Sequence, residues 1–333
     1  MRAIAASAPG KAVLIGEYAV LEGAPAIAVA VDRRARVLVQ PGDGADKSSG
    51  HRVRSANSGA QARFRAPPGA TLEWLDGDGG AFRLLEHVWR AVTPTPGASL
   101  ALTLDTRDFY AAASGAKLGL GSSAALAVAL TAALAGAAAE SAAVQHAALA
   151  AHRALQQGGS GIDVAAAVHG GVICYRREGL GVERLPWPAG LRMTLLWSGR
   201  EADTAARIAA LARAGARREA ALAELGRAAA AACREWPRGS AAALEAVGAW
   251  AGALHRFAGR LELDVFGAGH AALYAEALRR GLVYKPCGAG GGDVGAAFAQ
   301  DGGVLEDFAV WAAGRGFSVV AAAPDERGVT REE

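Results

Sequence analysis

Three glycines at 115, 119 and 121, with Lys117 among them, lead into Ser122, Ser123 and an apolar run that opens at Ala124. Glycine costs backbone entropy wherever it is ordered, so a cluster of it signals positive φ or the close approach of something bulky. A helix N-terminus supplies the complement, because its first N–H groups are unpaired and carry partial positive charge. Together they make an anion site, and phosphate is its common occupant. The residues alone leave a second reading open, in which the serines cap a core helix and the glycines serve a tight turn. The dinucleotide pattern G-x-G-x-x-G is not met, and Lys117 precedes the loop that a Walker A lysine would close.

The chain around this loop has 333 residues, enough for two domains of about 100 to 200 residues each. Its 52% hydrophobic and 20% charged residues describe a soluble globular protein and exclude the disordered class. The apolar run Ala124 to Ala139 falls short of the roughly 20 residues of a membrane span and reads as a buried helix. The N-terminus MRAIAASAPGK lacks the long apolar region of a secretory signal, so the cytoplasm is the expected compartment. Cys174, Cys233 and Cys287 form no metal-spaced pair, and their odd number argues for free thiols. A net charge of +3, with arginines dispersed along helical stretches, implies neither nucleic acid nor a membrane surface as partner.

Hydrophobic periodicity places the loop among these elements. AVLIGEYAVLEG and AIAVAVDRRARVLVQ predict paired strands, residues 41 to 70 a long excursion with one frayed strand, Ala81 to Val92 a helix, and SLALTLDTRDF a strand running toward the glycine loop. Helices follow from Ala124 and over Ser141 to Gln157, then a turn, short helix and strand that close a first domain near residue 185. LRMTLLWSG opens a second domain with a strand. Long helices over Asp203 to Cys233 and Ala241 to Arg260 come next, then GLVYKPCGAGGGDVGAAFAQDG as a strand, a glycine loop and a further strand or helix.

SAPGKAVLIGEYAVLEGAPAIAVAVD, KLGLGSSAALAVAL and KPCGAGGGDVGAAF resemble, in order, the three motifs of the GHMP small-molecule kinases, spread from residue 7 to residue 298. The resemblance implies an α+β fold: residues 1–185 as an ATP-binding domain like the second domain of ribosomal protein S5, and residues 186–333 as a ferredoxin-like domain, with the active site between them. Within the family, GEYAVLEG at Gly16 to Gly23 looks like the phosphomevalonate kinases, as do Lys285 and Pro286 ahead of GAGGGD. Cys287 stands where those enzymes usually carry serine, a conservative packing change. Mevalonate kinases place a magnesium-binding glutamate eleven residues before the catalytic aspartate, and here that position holds His152, a poor ligand for a hard cation.

Carried over residue by residue, the resemblance makes Lys11 and Asp163 the catalytic pair. It assigns ATP to Lys117, Gly119, Leu120, Gly121, Ser122, Ser123 and Ala124. The acceptor falls to Glu17, Tyr18, Ser160, Gly161, Thr204, Lys285, Gly288, Ala289, Gly290, Gly291 and Asp293. Magnesium would rest on ATP oxygens, water and the Ser123 hydroxyl. The implied reaction phosphorylates (R)-5-phosphomevalonate with ATP and Mg2+, in a monomer or homodimer whose partners are small molecules. Mevalonate kinase, or a family kinase with another acceptor, is the alternative. Tyr18 could be core, Asp163 could cap a helix as well as act, Thr204 could equally be a plain cap, and Lys117 a solvated lysine.

Overall fold

The computed structural model describes residues 2–42, 50–67, 71–112, 114–136, 139–156 and 158–333. Its largest sheet is organised around two long strands, β1 (Ile4–Ile15) and β2 (Ala26–Pro41), paired antiparallel with Lys11 opposite Ala30. The register shifts between Pro9 and Gly10 and again between Val13 and Ile15. Residues 26 to 31 are buried without a break because both faces of β2 are covered, and the period of two divides them. Ala26 and Ala28 pack with Ile162, Ala165 and Tyr175, whereas Ile27, Val29 and Val31 belong to a core that continues into the second half of the chain.

Beyond β2 the sheet runs through β6 (Leu100–Asp105), β3 (His51–Ser55), β4 (Gln61–Arg65) and β5 (Glu73–Gly77). Where one frayed strand was expected in residues 41 to 70, two form. Val53, Ala62 and Phe64 alternate inward between arginines that mask the pattern in the sequence; residues 43–49 and 68–70 of that excursion lie outside the described residues. The first half of β2 pairs instead with β7 (Val172–Arg176), which continues into β8 (Gly181–Leu185). Helices α1 (Arg83–Val92), α2 (Ser122–Leu134), α3 (Ser141–Gln156) and α4 (Ile162–His169) pack with this sheet, with Ala127, Val128 and Leu130 of α2 fully buried. Gln157, the expected end of the third helix, lies outside the described residues.

The second sheet holds β9 (Arg192–Trp197), β10 (Val283–Pro286), β11 (Val294–Ala299) and β12 (Ser318–Val320) in the spatial order β12, β9, β11, β10, all antiparallel. With helices between β9 and β10 and between β11 and β12, this is the βαββαβ order of a ferredoxin-like sheet. The helix expected over Asp203 to Cys233 is two, α5 (Thr204–Arg213) and α6 (Ala216–Glu235), because Gly215 at φ +59° breaks it. α7 (Ser240–Leu261), α8 (His270–Arg279) and α9 (Gly302–Ala313) complete the half.

The chain then returns, and β13 (Thr330–Glu332) pairs with β1 in the first sheet. Arg34 holds this return: its Nη1 donates to Asp325 Oδ2 at 2.5 Å and its Nη2 to the Gly328 carbonyl at 2.7 Å, with both side chains buried. Across the seam between the two sheets, Glu17 and Lys285 form a buried ion pair, with side-chain exposures of 2% and 0%. Lys285 Nζ also donates to the Val13 carbonyl at 3.0 Å, and Trp250 Nε1 donates to Glu17 Oε2 at 2.9 Å. Both residues were expected to touch an acceptor; in this structure they are buried and pair with each other.

Removing one member of a buried pair leaves the other charge without a partner, which typically costs about 3–5 kcal/mol. Lys285→Met is therefore expected to lower unfolding stability by that order in urea denaturation, and Glu17→Gln in the same chain to restore part of it. An unchanged midpoint for Lys285→Met would show that the pair does not hold the seam.

Candidate active site

β1 brings Lys11 to the seam and ties it to the glycine loop through one backbone bond, Lys11 N–H to the Leu120 carbonyl at 2.8 Å. The loop's last glycine, Gly121, sits at φ +82° as the N-cap of α2. A Cβ there would lie 3.3 Å from Lys11 Cε and 3.8 Å from Asp163 Cβ, so the lysine stem and the aspartate flank the head of the helix. Asp163 lies in the first turn of α4, whose N-cap is Gly161, and its Oδ1 accepts from the Val164 N–H at 3.1 Å. The helix cap is thus glycine, and the Asp163 carboxylate stands partly exposed beside Lys11.

Gly119, at φ +78°, faces the other half of the molecule: a Cβ there would come within 2.2 Å of Asp293 Cγ. Asp293 closes the glycine run after β10, at φ +55°, and its Oδ1 accepts from Ala202 N–H at 3.1 Å. Burial raises its pKa above the ordinary carboxylate value, opposed by the Ala202 hydrogen bond and by the charges of Lys11 and Lys117. Asp293, expected against an acceptor, therefore abuts the phosphate-type loop. Lys117 joins it from the same side, its N–H donating to Glu201 Oε1 at 3.2 Å.

Ser122 and Ser123 open α2, and neither side chain caps it. Ser123 Oγ instead lies 2.8 Å from Nε2 of the buried His152 on α3. With the tautomer assigned so that His152 accepts, the hydroxyl donates inward and keeps its oxygen lone pairs for a cation. Ala124 is core on α2, and Leu120 is buried behind the loop. Among the described residues no group of three or more His, Cys, Asp or Glu gathers to hold a metal. Ser123 thus fits a magnesium ion whose remaining ligands are phosphate oxygens and water.

The remaining expected acceptor residues fall into three groups. Ser160 and Gly161 form the turn before α4, with the Ser160 carbonyl accepting from Tyr175 Oη at 2.9 Å. Gly288, Ala289, Gly290 and Gly291 form the loop opposite, fastened by Tyr18 Oη donating to the Ala289 carbonyl at 2.6 Å. Tyr18 itself is buried at φ +62° and packs on Phe257, so the core reading holds for its ring. Thr204 is the first residue of α5, exposed, and the cap is its neighbour Asp203, whose Oδ1 accepts from Ala206 N–H at 2.8 Å.

The sequence signature described as "GHMP kinases N terminal domain" matches residues 88–171, from α1 through the phosphate-type loop to Asp163 and the end of α4. A phosphomevalonate kinase of Streptomyces sp. (strain CL190) is 36% identical over 249 residues, 64% of this chain and 66% of that protein. Residues 88–171 thus carry the N-terminal domain signature of the GHMP kinases. A mevalonate kinase of Methanothermobacter thermautotrophicus is 38% identical over 129 residues, 39% of this chain and 35% of that one. The matched stretches thus span just under two thirds of the first curated relative and about a third of the second. The fold agrees: Streptococcus pneumoniae phosphomevalonate kinase, solved with phosphomevalonate and AMPPNP, superposes with a TM-score of 0.77 at 17% identity, covering 96% of this chain and 99% of that one.

In this GHMP kinase fold two site features carry no motif signal in the sequence. Arg207, three residues beyond Thr204, lays its guanidinium against Gly291, and its side chain is 12% exposed. His270, fully buried at the start of α8, lies 2.6 Å from Tyr284 Oη through Nδ1 and 3.1 Å from the Gly292 carbonyl through Nε2, and so pins the Gly288–Asp293 loop. An alanine-flanked histidine of this kind cannot be told from packing before the fold is known.

Burial lowers the His270 pKa to about 4, against an ordinary value near 6.5. The unfolded chain therefore binds a proton that the folded one refuses between those values, and stability falls as pH drops through that window. The expected loss from this group is on the order of 3 kcal/mol by pH 4. Denaturation midpoints followed from pH 7 to 4 should drop less steeply in His270→Gln; an identical slope would assign the acid sensitivity elsewhere.

Proposed function

We propose that this GHMP kinase transfers the γ-phosphoryl group of ATP to the phosphate of (R)-5-phosphomevalonate, giving 5-diphosphomevalonate and ADP. The observation that carries the reading is the convergence of Lys11, Gly121 and Asp163 at the head of α2, and the acceptor is suggested by the similarity to the Streptomyces phosphomevalonate kinase. Phosphoryl transfer asks a protein mainly for positioning and charge neutralisation. The loop Lys117 to Ser123 cradles the nucleotide phosphates with backbone N–H groups at the helix N-terminus. Lys11 reaches the transferring group from β1 and neutralises charge as it crosses between two anions. The Ser123 hydroxyl would help hold a magnesium ion, which would supply positive charge to the nucleotide phosphates.

Asp163 orients Lys11 more than it removes a proton, because a phosphate monoester with a second pKa near 6 is already mostly dianionic at pH 7. In a mevalonate kinase the same position faces a hydroxyl, for which general-base help contributes roughly 10² to 10⁴-fold. The acceptor occupies the space bounded by the Ser160–Gly161 turn and the Gly288–Gly291 loop. The cytoplasm remains the proposed compartment; among the described residues no helix is long and apolar enough to cross a membrane.

Lys11→Ala is expected to lose most of kcat with little effect on folding, since one preorganised charge aimed at a transferring group is worth roughly 2.7–4 kcal/mol. Near-native turnover would make Lys11 a bystander and leave Lys117 as the remaining cation of the loop, Lys285 being sealed in the core. Offered both acceptors with ATP and magnesium, the protein should release ADP far faster with 5-phosphomevalonate than with mevalonate. Its rate should fall as pH drops through the acceptor's second pKa near 6. Preference for mevalonate would overturn the acceptor assignment.

A further inference from the structure

Arg207 is the site's unassigned cation. From the first turns of α5 its Nε donates to the Asp264 carbonyl at 3.2 Å and its Nη1 to the Asp203 carbonyl at 3.0 Å. These bonds fix the guanidinium without neutralising it. Its Nη2 keeps only a 3.5 Å contact with Asp264 Oδ2, on a carboxylate that is 74% exposed. A guanidinium has five N–H donors in a rigid fork, so part of the fork remains for a further acceptor. The group lies where Gly291 leaves room: a Cβ on that glycine would fall 1.5 Å from Arg207 Nη2. The Tyr18 phenol, raised by burial, feels Arg207 as the foremost charge opposing that rise, so the field of the guanidinium reaches the first motif as well.

The loop from Gly288 to Asp293 gives the direction. Its last residue, Asp293, abuts Gly119 of the phosphate-type loop, and its middle, Gly291, carries the guanidinium. An acceptor whose reacting end meets Lys11 therefore extends its other end along this loop toward Arg207. In a mevalonate-type acceptor that other end is a carboxylate, and a planar fork matches a carboxylate in a way that an ammonium does not.

We infer that Arg207 binds the carboxylate of the acceptor, displacing Asp264 from the open side of its guanidinium. The inference rests on the mevalonate-type reading above but not on which end-group reacts, because mevalonate and 5-phosphomevalonate share the carboxylate.

The test is steady-state kinetics with ATP, magnesium and each acceptor. Arg207→Met should raise the acceptor KM roughly 10- to 100-fold, the usual scale for one charged hydrogen-bonding partner, with the KM for ATP unchanged. Arg207→Lys should recover only part of the loss. Asp264→Asn, which weakens the competing carboxylate, should lower the acceptor KM, an effect that a merely structural Arg207–Asp264 contact would not give. Isopentenyl phosphate, which keeps a phosphate and lacks the carboxylate, is titrated against the acceptor, and the Ki of its inhibition should not change in Arg207→Met. An unchanged acceptor KM, a Ki that rises by the same factor, or a raised KM in Asp264→Asn overturns the inference. Where Arg207→Met fails to fold, Arg207→Lys and Asp264→Asn decide it. A wild-type protein that prefers mevalonate would sink the proposed acceptor while leaving Arg207 to be judged on the mevalonate KM.

Discussion

Lys285 and Glu17 leave water together, and burying either charge without the other would be costly. Their pairing therefore fixes how β10 of one sheet sits against the end of β1 in the other, with the Val13 carbonyl and the Trp250 indole completing their hydrogen bonds. The two flanking loops inherit that placement. Lys11 lies two residues before Val13 on the same strand, and the Gly288–Asp293 loop begins three residues after Lys285. A charge pair sealed in the core thus sets the spacing between Lys11 of one motif and the glycine loop of another.

The same seam holds two residues with side chains in left-handed backbone, Tyr18 at φ +62° and Asp293 at φ +55°. Such conformations cost of order 1–3 kcal/mol and persist only where the surroundings over-determine them. Here each is held by a bond to a different part of the chain, Tyr18 Oη to the Ala289 carbonyl and Asp293 Oδ1 to the Ala202 N–H. The first motif thereby grips the third, and the third reaches across to the second at Gly119. Three motifs far apart in sequence thus come together at the seam between the two sheets.

Most of this cleft was legible before the fold. Glycine clusters at 115–121 and 288–292 announce backbone that something must approach closely, and Lys11, Asp163 and the head of α2 meet as the family resemblance implies. What the sequence could not separate is a charged residue in a motif that faces the cleft from one that faces the core. Glu17 and Lys285 stand in motif positions beside Tyr18 and Pro286, yet strand geometry turns them into the seam. Arg207 shows the converse: one arginine among many on a helical stretch, it gains meaning only when α5 brings it against Gly291. The strands at 51–55 and 61–65 were hidden for a related reason, since their outward residues are arginines that read as loop composition.

The exchange of a carboxylate for His152 bears on charge as well as on coordination. An imidazole hydrogen-bonded to Ser123 adds no negative charge at the head of α2, where a glutamate would add one. A like charge about 4 Å away is worth about 4 kcal/mol at an effective dielectric of 20, so one carboxylate more or fewer matters to an anion nearby. A phosphate acceptor carries nearly two negative charges at pH 7 into a cleft that also holds the nucleotide phosphates, whereas a hydroxyl acceptor brings none at its reacting end. Asp163, Asp293 and Glu201 already supply three carboxylates around Lys11 and Lys117. Removing a fourth would relieve repulsion on an acceptor that is itself anionic, and that is the physical sense in which the histidine would suit the proposed phosphate-to-phosphate transfer.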